Sequence, residues 1–197
     1  MSVSAGANIG ERLMANGARH YGNLRATALD WLERVEIPVQ RVDDTPSQYS
    51  GGMQQRAMIA MAMCCDPELL IADEPTNGLD QDSKQQTLSL LNDLFPDAAK
   101  LVITHDISVA ATCGRILVLC GGKMLETGSS ALVLAAPRHP YTQALLGALV
   151  ENGMQETPAL RTEAGTCPFY RRCPAAFGRC RAEMPRRTQG DREWRCC

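Results

Sequence analysis

Within one short stretch the hydrophobic pattern changes period, and that change sets the class of fold. Ser50-Gly51-Gly52-Met53-Gln54-Gln55-Arg56 opens a segment rich in Ala and Met, which reads as a helix from Gly51 to Cys65. Asp66-Pro67 stops it. Between Glu68 and Asp73 the run Leu69-Leu70-Ile71-Ala72 is continuously apolar and ends in the adjacent carboxylates Asp73-Glu74. Such a run suits a strand buried on both faces, as in parallel sheets flanked by helices. The alternation continues with a helix over Asp82–Phe95, a strand over Lys100–Thr104, a helix over Ile107–Cys113 and a strand over Arg115–Cys120. Gly121-Gly122 then turns the chain into Lys123–Glu126. The expectation is an α/β fold with a largely parallel sheet.

Upstream, residues 1–22 read as a loose entry with one short helix. Leu24, Ala28, Leu32 and Val35 recur at helical spacing up to Pro38, and Gln40–Gln48 is a polar connection. Downstream, Ser130–Ala135 and Tyr141–Val150 read as helices separated by Pro137-Arg138-His139-Pro140. Beyond Glu151 the composition shifts to Pro, Arg, Gly and Cys. The expected division is residues 1–66, a helical part; residues 67–150, a partial α/β core; and residues 151–197, a Cys-rich extension. Twenty basic against 22 acidic residues, a net charge of −2, give no electrostatic case for nucleic acid as partner. No apolar run approaches the ~20 residues of a membrane helix. Met1-Ser2-Val3-Ser4-Ala5-Gly6 lacks a signal-peptide pattern, so a cytosolic location is expected.

Ser50 can cap a helix whose first residues, Gly51 and Gly52, leave backbone N–H groups bare for a phosphate. Asp73 and Glu74 at a strand end offer one carboxylate for Mg²⁺ and one to activate water. Followed by Pro75-Thr76 and Asn77-Gly78-Leu79-Asp80, the combination resembles the ATP-hydrolysing subunit of an ABC transporter. By that resemblance Ser50, Gly51, Gly52 and Met53 form the signature sequence, which contacts the γ-phosphate of ATP held by the opposite subunit. Asp73 binds Mg²⁺ through water, Glu74 polarises the attacking water, and Asp80 of the D-loop lies near the subunit interface. His105, after the Leu101-Val102-Ile103 strand, matches the switch histidine. Tyr49 stands where Leu is more usual, and Asn77-Gly78 where Ser/Thr-Ala is commoner.

A P-loop needs Gly-x4-Gly-Lys-Ser/Thr. The nearest stretch, Gly17-Ala18-Arg19-His20-Tyr21-Gly22-Asn23-Leu24, has the glycine spacing but neither Lys nor Ser/Thr, and no strand precedes it. The adenine-stacking aromatic and the Q-loop glutamine also find no match before Ser50, and Ala7-Asn8-Ile9-Gly10-Glu11 resembles the segment just beyond the Q-loop. The resemblance therefore covers the later part of such a subunit, lacking the N-terminal P-loop part.

Arg138-His139-Pro140-Tyr141-Thr142-Gln143-Ala144-Leu145-Leu146 resembles a segment typical of dipeptide, oligopeptide and nickel importer ATPases. Five of the nine cysteines fall in the last 31 residues: Cys167, Cys173, Cys180, Cys196 and Cys197. The spacing C-x5-C-x6-C-x15-C is unlike the paired C-x2-C knuckles of structural zinc sites and suits an Fe–S cluster on a Pro-rich loop. The family's C-terminal Cys-Pro-Phe-x-x-Arg-Cys-Pro region is similar, and in some members it carries a 4Fe–4S cluster. Cys167, Cys173, Cys180 and Cys196 are the expected ligands, with Cys197 as alternative fourth; zinc and no metal stay open.

The resemblance thus implies a peripheral subunit on the cytoplasmic face of the membrane. It would couple ATP hydrolysis to peptide uptake with Mg²⁺, a second ABC ATPase subunit and transmembrane permeases. Without a P-loop, no independent ATPase activity is expected. The alternatives are an Fe–S or zinc binding module on an α/β scaffold, or a fragment without transport function. Loss of a neighbouring strand also predicts an exposed apolar edge and marginal stability.

Overall fold

The computed structural model describes residues 3–15, 17, 21–63, 67–149 and 166–197. It falls into two compact units, Met1–Thr104 and His105–Cys197. The expected end of the signature helix at Cys64 and Cys65, Val150 and the boundary at Glu151 lie outside the described residues, as does much of the Gly17–Leu24 stretch.

The first unit holds α1 (Ala5–Ala15), α2 (Tyr21–Arg34), α3 (Gly51–Met63), β1 (Leu69–Asp73), α4 (Gln81–Leu94) and β2 (Ala99–Ile103). Ala28, Leu32 and Val35 of the α2 stripe are fully buried, with Ile9 of α1 and Ala60 of α3. Each large apolar side chain so buried contributes about 1.5–3 kcal/mol. Pro38 is not what ends α2. Ile37 N–H donates to the Leu32 carbonyl at 2.8 Å and Glu36 N–H to that of Glu33 at 2.8 Å, while Glu36 takes φ 57°. This is a Schellman stop with Glu in the place usually held by glycine, and buried Leu32 and Ile37 are its apolar pair.

β1 and β2 pair in parallel, Ile71 opposite Leu101 and Asp73 opposite Ile103. The expectation of a strand buried on both faces does not hold. Leu70 is buried, but Leu69, Ile71, Leu101 and Ile103 on the other face are 53, 59, 51 and 48% exposed. In the described residues only one side of this sheet is covered.

The second unit holds α5 (Ile107–Thr112), β3 (Arg115–Cys120), β4 (Lys123–Ser129), α6 (Ser130–Ala135), α7 (Pro140–Gly147), β5 (Arg186–Gln189) and β6 (Arg192–Arg195). Its sheet has the order β3-β4-β6-β5 and every pairing is antiparallel. The largely parallel sheet is therefore corrected: among the described residues only β1–β2 is parallel. The Cys-rich tail also contributes strands where none was expected. Gln189 pairs with Arg192 across Gly190-Asp191, and Gly190 takes φ 61°, the left-handed conformation a two-residue hairpin needs. Glu126↔Trp194 and Thr127↔Glu193 then join this hairpin to β4.

Candidate functional site

Two groups of residues carry the expected chemistry, one in each unit. In the first, Ser50 Oγ accepts from Met53 N–H at 3.3 Å and the Ser50 carbonyl accepts from Gln54 N–H at 2.9 Å, which starts α3. A Cβ built on Gly51 or Gly52 meets nothing within 4 Å. Packing does not demand glycine at either position; what glycine provides is bare backbone at a helix N-terminus. The approach to this helix is held firmly. Buried Tyr49 donates its hydroxyl to the Arg41 carbonyl at 2.8 Å, the Arg41 guanidinium lies 5.5 Å from its ring, and burial pushes the phenol pKa up. Gln54 Nε2 donates to the Pro46 carbonyl at 2.8 Å.

Arg56, one turn further on, bonds Glu36 at 2.7 Å and Gln86 Oε1 at 3.1 Å, tying α3 to the end of α2 and to α4. Gln55 Nε2 donates to the Asn77 carbonyl at 3.4 Å, so α3 and the turn after β1 meet within one unit.

That turn begins at Asp73, exposed at the end of β1. Glu74 follows with φ 47°, left-handed backbone for a residue other than glycine, and its N–H donates to the Ile103 carbonyl at 2.8 Å. A non-glycine residue held there stores about 1–3 kcal/mol, which the surrounding structure must impose. Thr76 is buried and Gly78 takes φ 75°. The Asp80 side chain is committed locally: it accepts from Ser83 N–H and Ser83 Oγ, both at 2.9 Å, capping α4. Those bonds hold its carboxyl below the usual range. His105 is exposed at the start of the second unit, just before Asp106, which caps α5 by accepting from Ser108 N–H at 2.9 Å.

The second group surrounds a small, partly open cavity lined by Cys167, Cys173, Cys180, Cys196, Cys197 and His139. None of the described cysteines is in a disulfide. Burial, reinforced by the neighbouring thiols of Cys173, Cys180, Cys167 and Cys197, pushes the Cys196 thiol up to about 11. Burial likewise raises Cys167. The four expected ligands and the alternative thus share one cavity. Among the described residues, no three His, Cys, Asp or Glu side chains close around a point as a single ion would require. Zinc–thiolate bonds of ~2.3 Å draw thiols to within roughly 4 Å of one another. Arg179, in the 3-10 turn that carries Cys180, is paired with Glu183.

Three residues that organise this cavity escaped sequence reasoning as functional positions. Glu126 is fully buried. It accepts from Arg138 N–H and His139 N–H, both at 2.9 Å, and from Arg192 at 2.7 and 3.0 Å. Burial pushes its carboxyl up, but the His139 and Arg138 N–H bonds and the Arg192 guanidinium outweigh that and hold it below the usual range. His139 is 1% exposed; burial, partly opposed by the charge of Glu126, takes its pKa down to about 4. A glutamate inside the otherwise inward-facing part of β4 was the available signal for Glu126. Arg192, next to a Gly-Asp turn, had none in its surroundings.

Two family models match the chain: "ABC transporter" over residues 4–77, and "Oligopeptide/dipeptide transporter, C-terminal region" over residues 125–180. The chain is 50% identical over 153 residues to the putative phosphonates utilization ATP-binding protein PhnK of Escherichia coli K12, covering 76% of this chain and 61% of that protein. It is 41% identical over 196 residues to the dipeptide transport ATP-binding protein DppD of the same organism, covering 92% and 60%. A solved dimer of the ATP-binding cassette MJ0796, in a post-hydrolysis state bound to ADP and Pi, matches with TM-score 0.58 at 32% identity, covering 65% of this chain and 57% of that one. The chain spans about three fifths of the length of the curated relatives it matches. No described helix is long and apolar enough to cross a membrane.

Proposed function

Because this chain belongs to the ATP-binding subunits of ABC transporters, in the branch that carries the oligopeptide/dipeptide C-terminal region, we propose that it supplies the signature half of a composite ATP site in a peptide importer. The observation that carries this reading is the bare glycine backbone at the start of α3, where packing leaves room for a side chain and the sequence places none. In this reading Ser50, Gly51, Gly52 and Met53 face the γ-phosphate of an ATP cradled on the P-loop of a second ABC ATPase subunit. Asp73 holds Mg²⁺ through water, Glu74 orients the attacking water, and His105 contacts the γ-phosphate. Phosphoryl transfer asks little covalent chemistry of a protein, so positioned dipoles and charges supply the catalysis. The Asp80 carboxylate orders the turn by capping α4. The subunit works from the cytoplasmic face of the membrane against permease subunits, and these 197 residues by themselves release no phosphate from ATP.

The test pairs two measurements. The isolated chain, handled anaerobically, is titrated with Mg-ATP, and turnover is then measured with a partner ATP-binding subunit present. No turnover alone, with partner turnover stimulated by the chain but not by its Ser50→Arg variant, is the expected result. Saturable turnover by the chain alone, abolished by Glu74→Gln, would overturn the half-site reading.

The second unit supports a metal reading of its own. Cys167, Cys173, Cys180 and Cys196 would hold a 4Fe–4S cluster, whose chemistry is one-electron transfer and cross-linking of the tail. What supports this reading is that all four thiols, with Cys197, line one cavity. Cys167 and Cys173 flank the short 3-10 turn Tyr170–Arg172, Cys180 lies in the 3-10 turn Gly178–Arg181, and Cys196 follows β6. Iron and acid-labile sulfide analysis after anaerobic reconstitution tests this. A colourless chain without sulfide would sink it.

A further inference from the structure

His139 occupies the N-cap of α7. Its Nδ1 accepts from Tyr141 N–H at 2.9 Å, and Pro140 fills the first helical position. A backbone N–H can only donate, so Nδ1 carries no proton and the ring hydrogen sits on Nε2. That Nε2 lies 3.8 Å from Cys167 Sγ, inside a pocket where the imidazole is 1% exposed. As a cap, histidine is an odd choice: Ser, Thr, Asp and Asn are the strong formers. What histidine adds is a second nitrogen reaching beyond the cap, and here it reaches a thiol.

Both partners are held from behind. Arg138 N–H and His139 N–H donate to buried Glu126, which fixes the backbone that carries the ring. On the other side, Gly121 at φ 53° lies so close to the tail that a Cβ there would stand 2.9 Å from Pro168 Cβ. Lys123 Nζ donates to the Thr166 carbonyl at 2.8 Å. The rings of Tyr141 and Phe169, flanking the two partners, meet edge to face at 5.4 Å. The Nε2–Sγ approach is therefore set by two independently anchored segments, not by a chance rotamer.

We propose that His139 is a positioning residue for the cluster: its Nε2–H donates a hydrogen bond to the Cys167 sulfur, orienting that ligand and raising the cluster's reduction potential. This rests on the Fe–S reading given above. A thiolate is a stronger acceptor than a thiol, and a donor aimed at a ligand sulfur withdraws charge from it, which favours the reduced cluster. Outer-shell hydrogen bonds of this kind tune a site through its ligands without touching the metal.

The experiment uses the full chain, reconstituted anaerobically with ferrous iron and sulfide, beside His139→Asn. Asn keeps the cap, because its side-chain oxygen accepts the Tyr141 N–H, but its short amide does not reach Cys167. The expected result is equal iron and sulfide content with a midpoint potential shifted to more negative values in His139→Asn. A second measurement reads wild type alone. The chain is labelled with ¹⁵N-histidine and reduced with dithionite, and pulsed EPR should find weak ¹⁵N coupling to the cluster spin. The chain has three histidines, and the coupling should vanish in His139→Asn. An unchanged potential at equal cluster content, or no ¹⁵N coupling in loaded wild type, would overturn the proposal. Wild type that takes up no iron and sulfide would instead bring down the Fe–S reading beneath it. If His139→Asn fails to load, the ¹⁵N coupling in wild type decides.

Discussion

Arg192, in the last strand of the chain, places its guanidinium 2.7 Å from the carboxylate of Glu126 in β4, and the two side chains are 5% and 0% exposed. Arg192 also donates to the Ala136 carbonyl, so one side chain binds the C-terminal hairpin to β4 and to the end of α6. The same carboxylate fixes the backbone of His139. The fold of the second unit and the shape of its thiol-lined cavity thus depend on one buried ion pair.

Removing one member leaves the other buried without its counter-charge, which costs about 3–5 kcal/mol. Arg192→Met is expected to lower the unfolding free energy of the second unit, measured by denaturant titration, by that order, and the double variant Glu126→Leu/Arg192→Met by much less. The pH dependence follows from the lowered carboxyl of Glu126. Its stabilisation is fully present above the ordinary carboxylate value of ~4.3 and is lost as pH falls through the lower folded value. Acid titration followed by circular dichroism should show that loss in wild type and not in Glu126→Gln. Equal acid sensitivity in both would contradict the assignment.

Gly52 separates stability from function. A Cβ there has open space, and replacing a helical glycine by alanine commonly gains up to about 1 kcal/mol. Gly52→Ala should therefore leave the melting temperature unchanged or raised, while lowering ATP turnover of the assembled transporter at least tenfold. A variant that melts earlier would show that the glycine serves packing instead.

Glu74 makes the complementary case. Its φ of 47° favours residues tolerant of the left-handed region. Glu74→Gly and Glu74→Asn should match or exceed wild type in stability, while Glu74→Val loses about 1–3 kcal/mol to strain. All three should abolish turnover in the assembled transporter. Retained turnover in Glu74→Asn would remove the carboxylate from the chemistry.

Local sequence was enough for most of the helices and for β1, β2 and β3, because caps, glycine turns and apolar periods are written residue by residue. Gly121-Gly122 announced the β3–β4 turn in the same way. The hairpin β5–β6 was not legible, since Arg186-Arg187-Thr188-Gln189 offers no apolar alternation. What makes these strands is pairing: β6 pairs with β4, more than 60 positions away in sequence, and β5 with β6. The cavity has the same character: the cysteine spacing named its thiols, whereas Glu126 and Arg192 became visible only when the topology brought them together. The exposed face of β1 shows the limit of pattern reading from the other side. Its apolar run predicted burial, and among the described residues that face has no cover.

That face sets a prediction about solubility. Leu69, Ile71, Leu101 and Ile103 form a contiguous apolar surface beside paired strands, the kind of surface that drives association. The isolated chain should bind a hydrophobic dye and self-associate with rising concentration. Ile71→Lys, on an exposed position, should suppress both without loss of helix signal. A monodisperse wild-type monomer in analytical ultracentrifugation would count against this.

The two last cysteines differ in their surroundings, and in the Fe–S reading that difference favours Cys196 as the fourth ligand. Cys196 lines the cavity with Cys167, Cys173, Cys180 and Cys197, and burial together with those thiols pushes it up. Cys197 turns its Sγ to the Glu183 carbonyl at 3.5 Å. The backbone of this end is held by Arg187, whose Nε donates to the Cys196 carbonyl at 2.9 Å and whose Nη2 donates to the Cys197 carbonyl. Cys196→Ser should therefore lose most of the iron and sulfide bound on anaerobic reconstitution, and Cys197→Ser should keep it. Arg187→Ala should loosen the anchoring of Cys196 and give intermediate loading. Because a serine variant can fail through misfolding, each is compared by circular dichroism before metal is added. Equal loading in Cys196→Ser and wild type, with loss in Cys197→Ser, would exchange the two roles.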